Sequence, residues 1–189
     1  LLGYKDDQIA IQFKGENSRL RSLTYTQLYN EVEILASAFR KNGLKKEDRV
    51  VGLLPNIPKT IIAMLACASI GAIWSTCSPD FGVKGVLDRF KQINPKFLIS
   101  ANAYLYNGKT FDLSNKLKEI LDELPNLQKV IIVPFVEQVT KIDEGYYYED
   151  FIDRNNFDTL AFEQLPFDHP LYIMYSSGTT GLPKSIVHS

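Results

Sequence analysis

The sequence predicts an α/β fold, a mainly parallel sheet with flanking helices, and three observations carry that reading. Short apolar runs alternate with amphipathic stretches from Arg49 to Val133. Glycine or proline marks most of the changes of pattern. Hydrophobic residues make up 45% of the 189, enough for a packed core and too many for disorder.

Each element has its own signal. Ile9 to Phe13 and the SRLRSL run read as two short strands joined by a turn at Gly15. Thr24 with Gln27 three residues on has the form of a capping box, and Leu28, Val32, Leu35 and Phe39 then recur on one helical face. Asn42-Gly43 supplies the left-handed stop. Arg49 to Leu54 is a short continuous apolar strand of the kind buried on both faces. Pro58 suits the first turn of the next helix, which is apolar nearly all round and ends at Gly71.

Ala72 to Thr76 reads as a strand, and Val83, Val86, Leu87, Phe90 and Ile93 line a helix that stops before Pro95. Phe97 to Ser100 is again a strand. Leu113, Leu117, Ile120, Leu121 and Leu124 mark another helix, and Lys129 to Val133 another strand. Glu137 to Phe167 breaks the rhythm and is expected to run over the surface, with YYYEDF (Tyr146 to Phe151) exposed as a contact surface. Leu171 to Tyr175 returns to the core as a strand.

Composition excludes several classes. The formal net charge is −1 and the cations are spread out, so no nucleic-acid partner is expected. The longest apolar run, Ile61 to Trp74, is shorter than the ~18–20 residues of a membrane helix, so no membrane partner is expected either. Cys67 and Cys77 read as free core thiols of a reducing, cytoplasmic compartment. With only His169 and His188 added, no metal site is predicted. The chain opens on Leu1 rather than methionine and stops soon after Lys184, so a piece of a longer polypeptide is expected.

The run YSSGTTGLPKSIVHS, Tyr175 to Ser189, holds the densest chemistry. Gly178 and Gly181 permit positive φ and leave backbone N–H groups uncovered, and successive N–H groups in such a turn form a nest for an anion. Ser176, Ser177, Thr179 and Thr180 add hydroxyl donors, and Lys184 adds a point charge suited to phosphate. A solvated, inert hairpin turn is the competing reading. The run is not a Walker A loop, because Pro183 precedes Lys184 and a strand rather than a helix follows.

SSGTTGLPK resembles the phosphate-binding signature of the adenylate-forming superfamily: acyl-CoA synthetases, luciferases and peptide-synthetase adenylation domains. The likeness extends through LTYTQL, through Gly43 to Ser100 and through HPLYIMY. WSTCSPDFG, the YNGK of Tyr106 to Lys109, and PKSIVHS are most similar to the acetoacetyl-CoA synthetase branch. Ser185 stands where the superfamily usually has glycine, in agreement with that branch.

The resemblance implies that residues 1–189 are a fragment of the N-terminal AMP-binding domain, without its C-terminal part or the small mobile C-terminal domain. It implies an ATP-dependent acid–thiol ligase that joins acetoacetate to coenzyme A through an acyl-adenylate, with Mg2+ sharing the phosphate charge. Ser176, Ser177, Gly178, Thr179, Thr180, Gly181 and Lys184 would hold the β- and γ-phosphates. Tyr106, Asn107, Gly108 and Lys109 would meet the coenzyme A nucleotide, or form a solvated turn. No catalytic residue is expected within the fragment, which alone should be inactive. Trp74 and Asp80 could line a pocket, Trp74 being weighed also as core, and His188 is read as structural. The alternatives are an acetyl- or propionyl-CoA synthetase, and a non-catalytic α/β interaction module using YYYEDF.

Overall fold

The computed structural model describes residues 6–16, 20–137, 139–177 and 181–189. β1 (Ile9–Phe13) and β2 (Arg21–Thr24) form the expected antiparallel pair. α1 (Tyr25–Lys41) begins at the Thr24–Gln27 capping box, with both reciprocal hydrogen bonds made. Each satisfies a backbone or cap donor that would otherwise lack a partner.

β3 (Arg49–Leu53), α2 (Pro58–Ile70), β4 (Ile73–Cys77), α3 (Val83–Ile93) and β5 (Phe97–Ala101) follow in the alternation that the patterning predicts. Pro58 opens α2, and Gly71 closes it at φ 74. β6 (Ala103–Tyr106) and β7 (Lys109–Asp112) form a hairpin, and α4 (Ser114–Asp122) leads to β8 (Lys129–Val133). β9 (Tyr146–Tyr147), α5 (Tyr148–Phe151), β10 (Tyr172–Ser176) and β11 (Lys184–His188) complete the chain.

The main sheet has seven strands in the order β11-β10-β4-β3-β5-β8-β9. All neighbours are parallel except β11, which runs antiparallel to β10 at the edge. β3 lies between β4 and β5, so the chain reverses its direction of travel across the sheet there. α1 and α2 pack on one face, around Leu35, Phe39, Ile62 and Trp74. α3 and α4 pack on the other, around Val86, Phe90, Leu117 and Ile120. β3 and β5 are buried on both faces, which explains their unbroken apolar runs.

The YYYEDF expectation is corrected. Tyr148 and Phe151 are buried, at 2% and 8% exposure, while Tyr146 remains open at 48%. Tyr146 and Tyr147 add a strand beside β8, and Phe151 packs its ring against Phe39 and Phe97. Exposure falls steadily along Tyr146, Tyr147 and Tyr148 as the chain passes from the edge strand β9 into α5, whose Tyr148 and Phe151 turn into the core. The chain beyond does cross the surface, but it is strapped to α1: the Asp158 and Leu160 N–H groups donate to Ser37 and Glu33, and Arg40 donates to the Ala161 carbonyl.

Candidate functional site

Two hairpins follow the carboxyl ends of parallel strands β10 and β5, the side of an open α/β sheet where ligands bind. They carry the residues singled out in the sequence.

In the β10–β11 hairpin, Ser176 pairs with Lys184, Tyr175 with Ser185 and Tyr172 with His188. Ser176 is half-buried, and Ser177, Gly181 and Lys184 are exposed. Gly178, Thr179 and Thr180 lie outside the described residues. Gly181 has φ 102, a region that side-chain-bearing residues avoid, and a Cβ built there meets nothing within 4 Å. The requirement for glycine there is thus conformational rather than steric. The Lys184 side chain makes no hydrogen bond or ion pair with the described residues. His188, read from the sequence as structural, stacks on Tyr172 with ring centroids 5.0 Å apart.

α3 anchors this hairpin through residues that sequence reasoning missed. Tyr175 donates its hydroxyl to the Arg89 carbonyl at 3.1 Å. Ser185 donates its hydroxyl to the Gln92 carboxamide at 2.7 Å, and that carboxamide donates to the Pro183 carbonyl at 2.9 Å. Burial raises the Tyr175 hydroxyl above its ordinary pKa, against a smaller lowering pull from Ser75, so it remains a neutral donor. Burial likewise pushes the Cys77 thiol up to about 11, with Arg89 opposing. Cys77 is therefore an inert core thiol.

In the β6–β7 hairpin, Asn107 and Gly108 take φ 50 and 71, the two positive values of a type I′ turn. Tyr106 and Lys109 pair across it, and Tyr106 is 66% exposed. The turn's two amide groups are engaged: Asn107 and Gly108 donate their N–H groups to the Glu16 carboxylate at 3.0 and 2.8 Å. The turn is an anion nest with a carboxylate already in it. Lys109 makes no ion pair with the described residues. The hairpin is rooted by Asn102, a buried amide that accepts from the Phe135 and Val136 N–H groups at 2.8 and 3.1 Å and donates to the Val136 carbonyl at 2.7 Å.

Trp74 and Asp80 are not brought together. Trp74 is core, 3% exposed, with its indole so close over Gly52 that a Cβ there would lie 2.8 Å from the ring. Asp80 is exposed in a loop whose Pro79 and Phe81 carbonyls accept from Lys116. Burial lowers the Lys116 pKa, while Asp80 opposes it.

A further cleft of about 1110 Å³ lies among β1, β2, α1, the start of α2 and the Tyr148–Phe157 stretch, and shares no residue with either hairpin. Its charges pair among themselves: Lys59 and Arg154 reach Glu31 at 2.6 and 2.7 Å, and Arg154 reaches Glu149 at 2.8 Å. Burial alone would raise the Glu31 carboxyl, but hydrogen bonds from Arg154 and Lys59 outweigh it and hold it below the usual range. These pairs latch the chain after α5 to α1. The Tyr148 hydroxyl, buried nearby, has no hydrogen-bond partner among the described residues, and burial raises its pKa.

The described residues contain no group of three His, Cys, Asp or Glu side chains placed to hold a metal ion. No helix among them is long and apolar enough to cross a membrane.

Comparison with known proteins agrees with this geometry. Residues 3–189 match the AMP-binding enzyme family. An acetoacetyl-CoA synthetase from Macaca fascicularis is 48% identical over 100% of this chain and 30% of its own length. The acetoacetyl-coenzyme A synthetase of Rhizobium meliloti is 46% identical over 95% of this chain and 28% of its own. The solved acetoacetyl-CoA synthetase from Streptomyces lividans superposes with a TM-score of 0.89 at 40% identity, covering 96% of this chain and 28% of that one. The chain thus spans about 30% of the length of the curated relatives it matches. With its parallel sheet, its SSGTTGLPK hairpin and a match along nearly all its length, the chain belongs to the family of AMP-binding enzymes.

Proposed function

We propose that this chain is part of the N-terminal domain of a cytoplasmic ligase that activates acetoacetate with ATP and passes it to coenzyme A. In the first step an acetoacetate carboxylate oxygen bonds to the α-phosphorus and pyrophosphate leaves. In the second, the coenzyme A thiol bonds to the acyl carbon and AMP leaves. Such chemistry needs the polyphosphate held in line with its charge neutralised, and little covalent help from the protein.

The β10–β11 hairpin would supply that grip. In this reading Ser176, Ser177, Thr179 and Thr180 would supply hydroxyl donors, Gly178 and Gly181 would supply backbone amides that no side chain covers, and Lys184 would add the cation. The observation that carries the reading is the exposed Lys184, whose side chain has no partner among the described residues, opposite Ser176 in a hairpin past a parallel strand. The Mg2+ that the family implies finds no cage of side chains among the described residues. The substrate assignment rests on the acetoacetyl-CoA synthetases that the chain resembles.

Tyr106 to Lys109 is proposed to meet the coenzyme A nucleotide. Because Glu16 holds the turn's two amides, Lys109 is the donor left for a phosphate. The non-catalytic module keeps only part of the contact surface it relied on, since Tyr148 and Phe151 are core.

The test is ATP–pyrophosphate exchange by the intact source polypeptide with a panel of short acids. Acetoacetate should support the fastest exchange. If acetate or propionate outperformed it, the substrate assignment would fail.

A further inference from the structure

We propose that Gln92 is a positioning residue for Lys184, an inference that rests on reading the β10–β11 hairpin as a phosphate grip. Gln92 lies in the last turn of α3. Its carboxamide has three partners. The nitrogen donates to the Asp88 carbonyl at 2.5 Å and the Pro183 carbonyl at 2.9 Å, and the oxygen accepts the Ser185 hydroxyl at 2.7 Å. Turning the amide over would set its oxygen against two carbonyls, so the network admits one orientation.

Pro183 and Ser185 are the residues on either side of Lys184. One carboxamide therefore holds the chain immediately before and immediately after the lysine. The Pro183 carbonyl and the Lys184 amide nitrogen belong to one planar unit, so orienting the first orients the second. Side chains alternate along a strand, which places Ser185 on the face opposite Lys184. Gln92 grips from the α3 side, and the ammonium is left exposed on the other.

A lysine side chain has a flexible stem, and the protein controls chiefly where that stem begins. α3 fixes that origin from both strands, because Tyr175 on β10 bonds to the Arg89 carbonyl of the same helix. A glycine at position 185 would offer no hydroxyl to this brace. The serine hydroxyl is therefore part of the brace.

The experiment uses the intact source polypeptide and reads KM for ATP, KM for coenzyme A and the melting temperature. Gln92→Leu keeps the volume and removes all three hydrogen bonds. It should raise KM for ATP about tenfold, leave KM for coenzyme A unchanged, and move the melting temperature by only a few degrees. Gln92→Leu combined with Lys184→Ala should be little worse than Lys184→Ala alone, because a positioning group has nothing left to position. Ser185→Val should raise KM for ATP more than Ser185→Thr, which keeps the hydroxyl. An unchanged KM for ATP in Gln92→Leu, equal rises in both KM values, or additive losses in the double variant would each overturn the proposal. If Lys184→Ala itself left ATP use intact, the phosphate reading would fail instead, and the two failures are thus told apart.

Discussion

The β10–β11 and β6–β7 hairpins are built from the same parts and set them in different surroundings. Each has a positive-φ glycine, Gly181 or Gly108, and an exposed lysine, Lys184 or Lys109. In the first, no described residue other than its chain neighbours lies within 4 Å of a Cβ built on Gly181. In the second, the Asn107 and Gly108 amides are already spent on Glu16, which arrives from the turn after β1. Glycine and lysine content alone cannot tell whether a turn's amides are already spent. The deciding group is a carboxylate far away in sequence.

The support behind the two hairpins also differs. α3 braces the β10–β11 hairpin through Arg89 and Gln92, close to its cation. The β6–β7 hairpin is held at its root, where Asn102 ties the end of β5 to the chain after β8.

The largest expected effect separates the two cations. Lys184→Ala in the intact polypeptide should slow ATP–pyrophosphate exchange by about a hundredfold, the order seen when one preorganised donor to developing charge is removed. Lys109→Ala should leave that exchange at the parent rate. Comparable losses from both would erase the contrast.

Next comes the root of the β6–β7 hairpin. Asn102→Ala removes the partner of two half-buried N–H groups and a carbonyl, and denaturant titration should show about 1–2 kcal/mol of lost stability. A loss below about 0.5 kcal/mol, the size of an ordinary surface change, would mean that water replaces the amide.

A smaller effect concerns the second substrate. Lys109→Ala should raise KM for coenzyme A several-fold, consistent with one exposed phosphate contact at roughly 1 kcal/mol. If that KM stayed put, the hairpin would revert to a solvated turn. The smallest effect sharpens the occupied state. Glu16→Gln should speed hydrogen exchange at Asn107 and Gly108 while changing global stability by less than about 1 kcal/mol, because the contact is exposed and charge-assisted. Unaltered exchange at both amides would show that Glu16 does not hold the nest.

Local patterning made most of the frame legible. The Thr24–Gln27 box, Pro58, Gly71 and the buried β3 and β5 runs each state their structure within a few residues. The β6–β7 hairpin was legible too: Asn107-Gly108 between short alternating runs is a strong turn signal, although the segment read as a polar loop. YYYEDF misled because three tyrosines in a row carry no period, and only the neighbouring β8 and Phe39 decide which ring is buried.

Of the site, the residues that touch a ligand were visible as a motif. The residues that hold them were not. Gln92 reads as the polar side of an amphipathic helix, Asn102 as a residue between strands, and Glu16 as part of a turn. Each acquires its role from a partner at least thirty residues away in sequence.

The account stands on the β10–β11 hairpin gripping the outer phosphates of ATP. Equilibrium binding of ATP and of AMP to the intact polypeptide, with and without Lys184→Ala, tests it most directly. The predicted result is ATP binding at least tenfold weaker in the variant, about 1.4 kcal/mol, with AMP binding unchanged. Equal weakening of both nucleotides, or of neither, would contradict it.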